Sequence, residues 1–149
     1  MRAVVQRVSR AEVTVEGEAV GRIERGLLVY VGVGADDAAE DARYLSDKIR
    51  HLRIFSDADG RMNLDVSQAG GAVLIISNFT LLADARKGRR PEFTRAAEPA
   101  AANALYELLC DEIAASGLTI ARGRFRAMMS VNAANDGPIN ILLDSKKLF

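Results

Sequence analysis

A chain of 149 residues, 49% of them hydrophobic, with 20 basic side chains balancing 20 acidic ones, has room for one domain with a real core and no overall pull toward nucleic acid. Its one cysteine, Cys110, and one histidine, His51, exclude a disulfide framework and a zinc site of the usual Cys/His kind, and fit a reducing cytoplasm. No apolar run approaches the roughly 20 residues of a membrane helix, and Met1-Arg2-Ala3-Val4-Val5 enters a strand-like pattern rather than a signal-peptide core; the expectation is a cytoplasmic protein without a membrane segment.

In chain order, Ala3 to Val8 and Ala11 to Val15 read as two β-branched runs separated by Ser9-Arg10. Val13 and Val15 face one way and Glu12, Thr14 and Glu16 the other, the pattern of a half-buried strand. Glu16-Gly17-Glu18 reads as a turn that brings Ala19 to Ile23 back as a hairpin. Leu27 to Val33 is apolar on both faces, as a central strand is. Gly32-Val33-Gly34 lacks the third glycine of a dinucleotide fingerprint, no P-loop is present, and the pair reads as a strand leaving into a turn.

Asp36 and Asp37 are candidate N-caps, and Asp37 with Glu40 has capping-box spacing. Ala42, Leu45, Ile49 and Leu52 then recur as the stripe of an amphipathic helix, with His51 at its end as a surface or capping residue. Leu52 to Phe55 returns to strand, Ser56 to Gly60 turns, and Ala72 to Ile76 is a second buried strand. Asp84 to Arg95 is a polar, basic loop. Pro99 opens a second helix with Leu105, Leu109 and Ile113 on one face, Cys110 packed in the core and Gly117 at the C-terminal end. Leu118 to Ala121 and Phe125 to Val131 read as strands, followed by a Gly-Pro loop and a buried last strand, Ile139 to Leu143. About eight or nine strands with two helices, mixing hairpins and helical crossovers, give an α+β fold: a curved, barrel-like, mostly antiparallel sheet with two main flanking helices, in one domain over residues 1–149.

Two stretches stand out for chemistry. Ser77-Asn78-Phe79-Thr80 lies where an apolar strand gives way to polar residues, a common place for functional groups. Its hydroxyls and amide offer donors and acceptors without charge; hydroxyls that merely cap a strand end give the same pattern. Asn135-Asp136-Gly137-Pro138 contains the chain's only Gly-Pro, rigid on its proline side and permissive on its glycine side, and open to a cis bond or to a plain tight turn. Arg86-Lys87-Gly88-Arg89-Arg90-Pro91 is the densest charge run, either a solvated loop or a phosphate contact, and Arg122, Arg124 and Arg126 add positive charge near Phe125.

Taken together and in order, these stretches resemble the D-aminoacyl-tRNA deacylase family shared by bacteria and eukaryotes. The resemblance runs nearly end to end. It includes Met1 to Val8, Gly26-Leu27-Leu28-Val29, Leu52 to Phe55, Met62-Asn63-Leu64, Ser77 to Leu81, Arg86 to Pro91 and Asn135 to Pro138. The resemblance implies a barrel-like fold, a homodimer with active sites at its interface, and hydrolysis of the ester joining an amino acid to the acceptor end of tRNA. No cofactor and no metal-ligating residue is expected. It implies that Ser77, Asn78, Phe79 and Thr80 form the catalytic stretch, with main-chain N–H groups around Phe79 and Thr80 as an oxyanion site and the tRNA's own terminal 2′-hydroxyl assisting. It implies that Gly137-Pro138 is cis and braced by Arg7, that Met129 lines the pocket, and that the Gly-Pro carbonyls leave no room for an L side chain, while glycine enters. Arg86, Lys87, Arg89, Arg90 and Arg126 are the expected tRNA contacts, read from their charge as partners for phosphate.

Three residues depart from the family's pattern. Asn78 stands for glutamine, Asn140 for threonine, and Arg126 for glycine. Asn78 and Asn140 leave room for a relative that acts on a small L-amino acid mischarged on tRNA, and the missing conventional catalytic residues with the basic loop suit a non-catalytic module that binds tRNA ends.

Overall fold

The computed structural model describes residues 1–149. The first two apolar runs form a single strand, β1 (Arg2–Val15). Ala3 and Val5 pack into the larger apolar cluster, Val8, Ala11 and Val13 into the smaller one. The side change between Val5 and Val8 follows from strand alternation. An irregularity in pairing between Val8 and Arg10 then keeps Ala11 and Val13 on the side of Val8, where a regular strand would send them to the opposite face. Glu16 and Gly17, both at positive φ (52° and 84°), form the tight connection to β2 (Glu18–Ile23).

Strand β3 (Gly26–Gly32) follows. Helix α1 (Ala39–His51) then leads through the short pair β4 (Phe55–Ser56) and β5 (Met62–Leu64) to β6 (Ala72–Ser77). Helix α2 (Pro99–Ala115) leads to β7 (Ile120–Arg122), and β8 (Ser130–Asp144) closes the chain. The main sheet runs β2-β1-β3-β6-β7, with β8 on the other edge of β1. The β3, β6 and β7 pairings are parallel and the others antiparallel, because a helix crosses over between each parallel pair. The sheet curls until β2 approaches β7. A Cβ on Gly21 would lie 2.6 Å from the Arg122 carbonyl oxygen, so only glycine permits this near-closure. The α+β, barrel-like expectation holds.

The two faces of β3 and β6 explain their unbroken apolar sequence. Leu27, Val29, Val73 and Ile75 meet the helices, while Leu28, Leu74 and Ile76 fill the barrel. The α1 stripe of Ala42, Leu45 and Ile49 is fully buried. On α2 the buried face is Tyr106, Leu109, Cys110 and Ile113, and Leu105 lies at its margin. The Tyr106 hydroxyl donates to the Ile75 carbonyl at 2.9 Å, so its polar tip is satisfied inside the core.

Further sequence expectations change. The N-cap of α1 is Ala38, whose N–H donates to Asp41 Oδ2 at 2.9 Å. Asp37 instead accepts from the Gly34 N–H and lies 2.6 Å from the Met1 amine, partners that no local spacing reveals. Residues 125–129 are not strand: Phe125 turns in against Tyr106, with ring centroids 6.1 Å apart, and Arg126 adopts φ 61°. The Gly-Pro stretch is not a connection between strands but lies within β8, and the last apolar run is only partly covered, with Leu142 59% exposed. Strand β8 pairs with β1 alone, so its outer side finds no cover within the chain.

Asp41 gives a test of how the last residues close on α1. Its Oδ2 lies 2.7 Å from Lys146 Nζ. Burial raises its pKa, but the hydrogen bonds from Lys146, Ser145 and the Ala38 N–H outweigh burial and hold it at about 2. A folded-state pKa below the unfolded value means stability present above about pH 4 and lost as pH falls toward 2. Urea titrations of Asp41→Asn are expected to show lower stability than wild type at pH 6 and a smaller loss between pH about 4 and 2.

Candidate active site

The carboxyl ends of the parallel strands β3, β6 and β7 lie side by side, the usual location of sites in parallel sheets. Ser77 pairs with Val31 of β3, and the Asn78 N–H donates to the Val31 carbonyl at 2.7 Å. The chain then bends into a 3₁₀ turn, Phe79–Leu82, capped by Asn78. Asn78 Oδ1 accepts the Thr80 N–H at 3.1 Å and also the Thr80 hydroxyl. The Phe79 N–H, first in the turn, donates to nothing in the chain. The Phe79 ring is 58% exposed and sits edge-on to Phe93, with centroids 5.0 Å apart. The result is an uncharged turn with one unspent main-chain donor. The expected pair of N–H groups at Phe79 and Thr80 is reduced to one, because Asn78 uses the second.

Gly32, which the sequence presents only as a strand end, decides whether this turn can form. A Cβ there would meet Leu82 Cδ2 at 2.5 Å, the Asn78 carbonyl oxygen at 2.9 Å and Leu81 Cβ at 2.9 Å. A glycine ending a central strand before a polar motif is the one signal of this in the sequence.

Two loops border the turn. Residues 84–97 return beside β3, with the Ala97 N–H on the Val33 carbonyl and the Asp84–Glu92 bridge closing the basic segment. Within it Arg86 binds Asp84 through several contacts, and these hold the Asp84 carboxyl well below the usual range. Arg86 therefore braces its own loop, whereas Lys87, Arg89 and Arg90 are exposed and form no ion pair. The second loop follows β7, where the Gly123 N–H bonds the Ile75 carbonyl. It carries Arg124 and Arg126, both exposed, and Met129, whose sulfur would lie 2.7 Å from a Cβ on Gly123. Arg122 adds no free charge, being bound to Glu107 and Asp111.

Arg126 occupies the left-handed region, φ 61°, where glycine is at ease and other residues cost of order 1 kcal/mol. It is exposed and unpaired, so nothing offsets that cost. Arg126→Gly is expected to be neutral to about 1 kcal/mol stabilising by urea denaturation, against the usual direction of glycine substitution.

The second stretch is an extrusion from β8. Gln6 pairs with Asn140 and Val8 with Asn135, so residues 136–139 face Arg7 alone and bulge outward. The Gly137–Pro138 bond is cis. Arg7 Nε lies 2.9 Å from Asp136 Oδ2, and its Nη1 donates to the Ile54 carbonyl at 2.7 Å. At the base of the bulge, Asn140 Oδ1 accepts from Gln6 Nε2 and from Asn135 Nδ2, each at 2.9 Å. The sequence marks Asn140 only as a departure from the family's pattern and gives Gln6 no role. Their link joins residues 134 apart, and no local pattern signals it.

One chain does not bring the two stretches together. Arg7 is level with Leu27 and hence Val73, while Ser77 lies four residues further along β6, roughly 13 Å at strand spacing. Strands β1 and β3 also stand between β8 and β6. Met129 lies on the Ser77 side, through Gly123 and Ile76.

Comparison with known proteins gives the family and the fold. A family model described as D-Tyr-tRNA(Tyr) deacylase matches residues 4–144. The D-aminoacyl-tRNA deacylase of Anaeromyxobacter dehalogenans (strain 2CP-C) is 61% identical, and that of Thermotoga petrophila (strain ATCC BAA-488 / DSM 13995 / JCM 10881 / RKU-1) 56%, each over 100% of both chains. Among solved structures, the c-Myc DNA Unwinding Element Binding Protein superposes with TM-score 0.91 at 36% identity, covering 97% of this chain and 98% of that one. A probable eukaryotic D-amino acid tRNA deacylase superposes with TM-score 0.82 at 18% identity, over 95% and 97%, a likeness of fold.

Proposed function

The chain belongs to the D-Tyr-tRNA(Tyr) deacylase family, and we propose that it hydrolyses the ester joining a D-amino acid to the terminal ribose of tRNA. The observation that carries the site assignment is the unspent Phe79 N–H on a preformed, uncharged turn. Water adds to the ester carbonyl, and the oxygen that gains charge is received by that N–H, a donor already oriented before reaction. The bond to the ribose oxygen then breaks. The ribose oxygen takes up one proton of the attacking water, the other passes to solvent, and the amino acid leaves as its carboxylate. Thr80 is not the nucleophile in this reading. Its hydroxyl donates to an amide oxygen, which is no base, and activation requires one. The protein orients, and the 2′-hydroxyl of the tRNA assists the attacking water.

Selection is by exclusion. The Gly137 and Pro138 main chain, held through Arg7, faces the substrate's α-carbon and clashes with an L side chain. Glycine has no side chain to exclude and is a substrate as well, including glycine mischarged on the alanine tRNA. The gate acts on the Ser77 to Thr80 turn of a second copy. That reading is supported by the separation of the two stretches within one chain, the free outer side of β8 and the exposed Leu142. Lys87, Arg89, Arg90 and Arg126 contact the acceptor-end phosphates, the enzyme working in the cytoplasm where tRNA is charged.

Purified protein is expected to deacylate D-tyrosyl-tRNA and glycyl-tRNA and to spare L-tyrosyl-tRNA, with a dimer mass by sedimentation equilibrium. Equal rates on the two tyrosyl enantiomers, or no turnover of either, would sink the assignment.

A further inference from the structure

Four residues of β8 leave the sheet opposite one residue of β1. An extrusion of that kind has no ladder of its own, and backbone pairing resumes only at Asn135 and Asn140. What fixes its direction is therefore side-chain bonding at its base. Arg7 meets Asp136, the first extruded residue and a half-exposed carboxylate. At the base the two flanking residues bond each other, Asn135 Nδ2 to Asn140 Oδ1 at 2.9 Å, and the same oxygen takes Gln6 Nε2 from β1 at 2.9 Å. One amide oxygen thus closes the neck of the loop and ties it to the sheet.

We propose that Asn140 is a positioning residue for the Gly137-Pro138 loop, acting with Gln6 and Asn135 as a clamp that holds the loop in the orientation needed to discriminate between amino-acid enantiomers. The inference rests on the deacylase reading for its link to selectivity; the clamp itself rests on the hydrogen bonds. A threonine hydroxyl at this position is one bond nearer the backbone than the asparagine amide oxygen. The longer reach of the asparagine places its oxygen 2.9 Å from both donors. The oxygen does the work, since the Asn140 amide nitrogen bonds nothing in the chain. Aspartate at this position keeps both acceptor contacts, and leucine keeps the approximate size while losing them.

The test compares Asn140→Leu and Asn140→Asp in two measurements on the whole protein. The first is the ratio of deacylation rates on D-tyrosyl-tRNA and L-tyrosyl-tRNA. The second is amide hydrogen exchange, read by mass spectrometry, of the peptide covering residues 130–144, whose protected amides belong to the β8 ladder on either side of the loop. Asn140 is exposed, so both variants are expected to fold with thermal midpoints near that of wild type. For Asn140→Leu the enantiomer ratio is expected to fall, and local exchange to rise, by about thirtyfold, the weight of two net hydrogen bonds. Asn140→Asp is expected to stay within about threefold of wild type in both, because the acceptor remains. Unchanged exchange in Asn140→Leu overturns the clamp whatever the activity. Faster exchange with unaltered discrimination overturns its role in selectivity. If wild type itself does not discriminate, the deacylase reading fails, and the exchange measurement still decides the clamp.

Discussion

Gly32→Ala is expected to lower kcat/KM for D-aminoacyl-tRNA by about ten- to a hundredfold while the chain stays folded. The added methyl would meet three atoms of the segment that carries the catalytic turn. Leu82 Cδ2, at 2.5 Å, is the tip of a flexible side chain and moves aside. The Asn78 carbonyl oxygen and Leu81 Cβ, both at 2.9 Å, belong to the backbone frame. They move only if the turn moves, and Phe79 and Thr80 lie between them. Restoring ordinary contact needs a shift of roughly half an ångström. Errors of that order in an oriented donor are costly to catalysis, with about a hundredfold attached to a displacement near 1 Å. Because the turn lies at the edge of the core, the stability cost is expected to be a minor one beside the kinetic effect. Steady-state kinetics beside a thermal melt separates the two. A normal kcat/KM would show that the Phe79–Leu82 turn is not where the ester is bound.

The second large effect concerns stability. Gly26→Ala is expected to cost at least about 4 kcal/mol, the scale reserved for severe core disruption. A Cβ on Gly26 would lie 1.9 Å from the Ala72 carbonyl oxygen and 2.7 Å from its nitrogen. All of these are main-chain atoms of β6, so no rotamer change relieves the contact. Strands β3 and β6 would have to part where their parallel pairing begins, and that pairing carries Leu27, Leu28, Val73 and Leu74 into the core. Gly17 serves as the control. A Cβ added there would have nothing within 4 Å, and its φ is +84°, so alanine costs only about 1 kcal/mol through backbone strain. Urea denaturation at equal slope compares them directly. A similar midpoint for both variants would contradict the close approach of β3 to β6.

Much of the fold is legible because its causes are local. The three- and four-residue steps of Ala42, Leu45 and Ile49 make α1 visible, and Pro99 places the start of α2. Strands β3 and β6 show themselves through apolar residues on both faces. The errors share a different cause. Asp37 reads as a helix cap because its spacing to Glu40 fits one, yet its partners are the Gly34 N–H and the Met1 amine. Phe125 to Met129 has the composition of a strand, yet the pull of Phe125 onto Tyr106 and the left-handed Arg126 take it off the sheet. The Gly-Pro stretch reads as a turn because glycine and proline usually make one. It is an extrusion because β1 continues past it, paired with β8 on both sides.

The α+β class, the family and the two stretches on which the proposed chemistry rests are each written in residue types and their spacing. Which groups within those stretches are available is settled by folding. In the folded chain Asn78 consumes the Thr80 N–H and leaves that of Phe79, Arg86 is tied to Asp84 while Lys87, Arg89 and Arg90 are free, and Gln6 and Asn140 close the neck of the β8 loop. The physical reason is that a hydrogen-bond donor or a charge is defined by what it already binds. Those partners come from strands far apart in the chain, which only folding brings together.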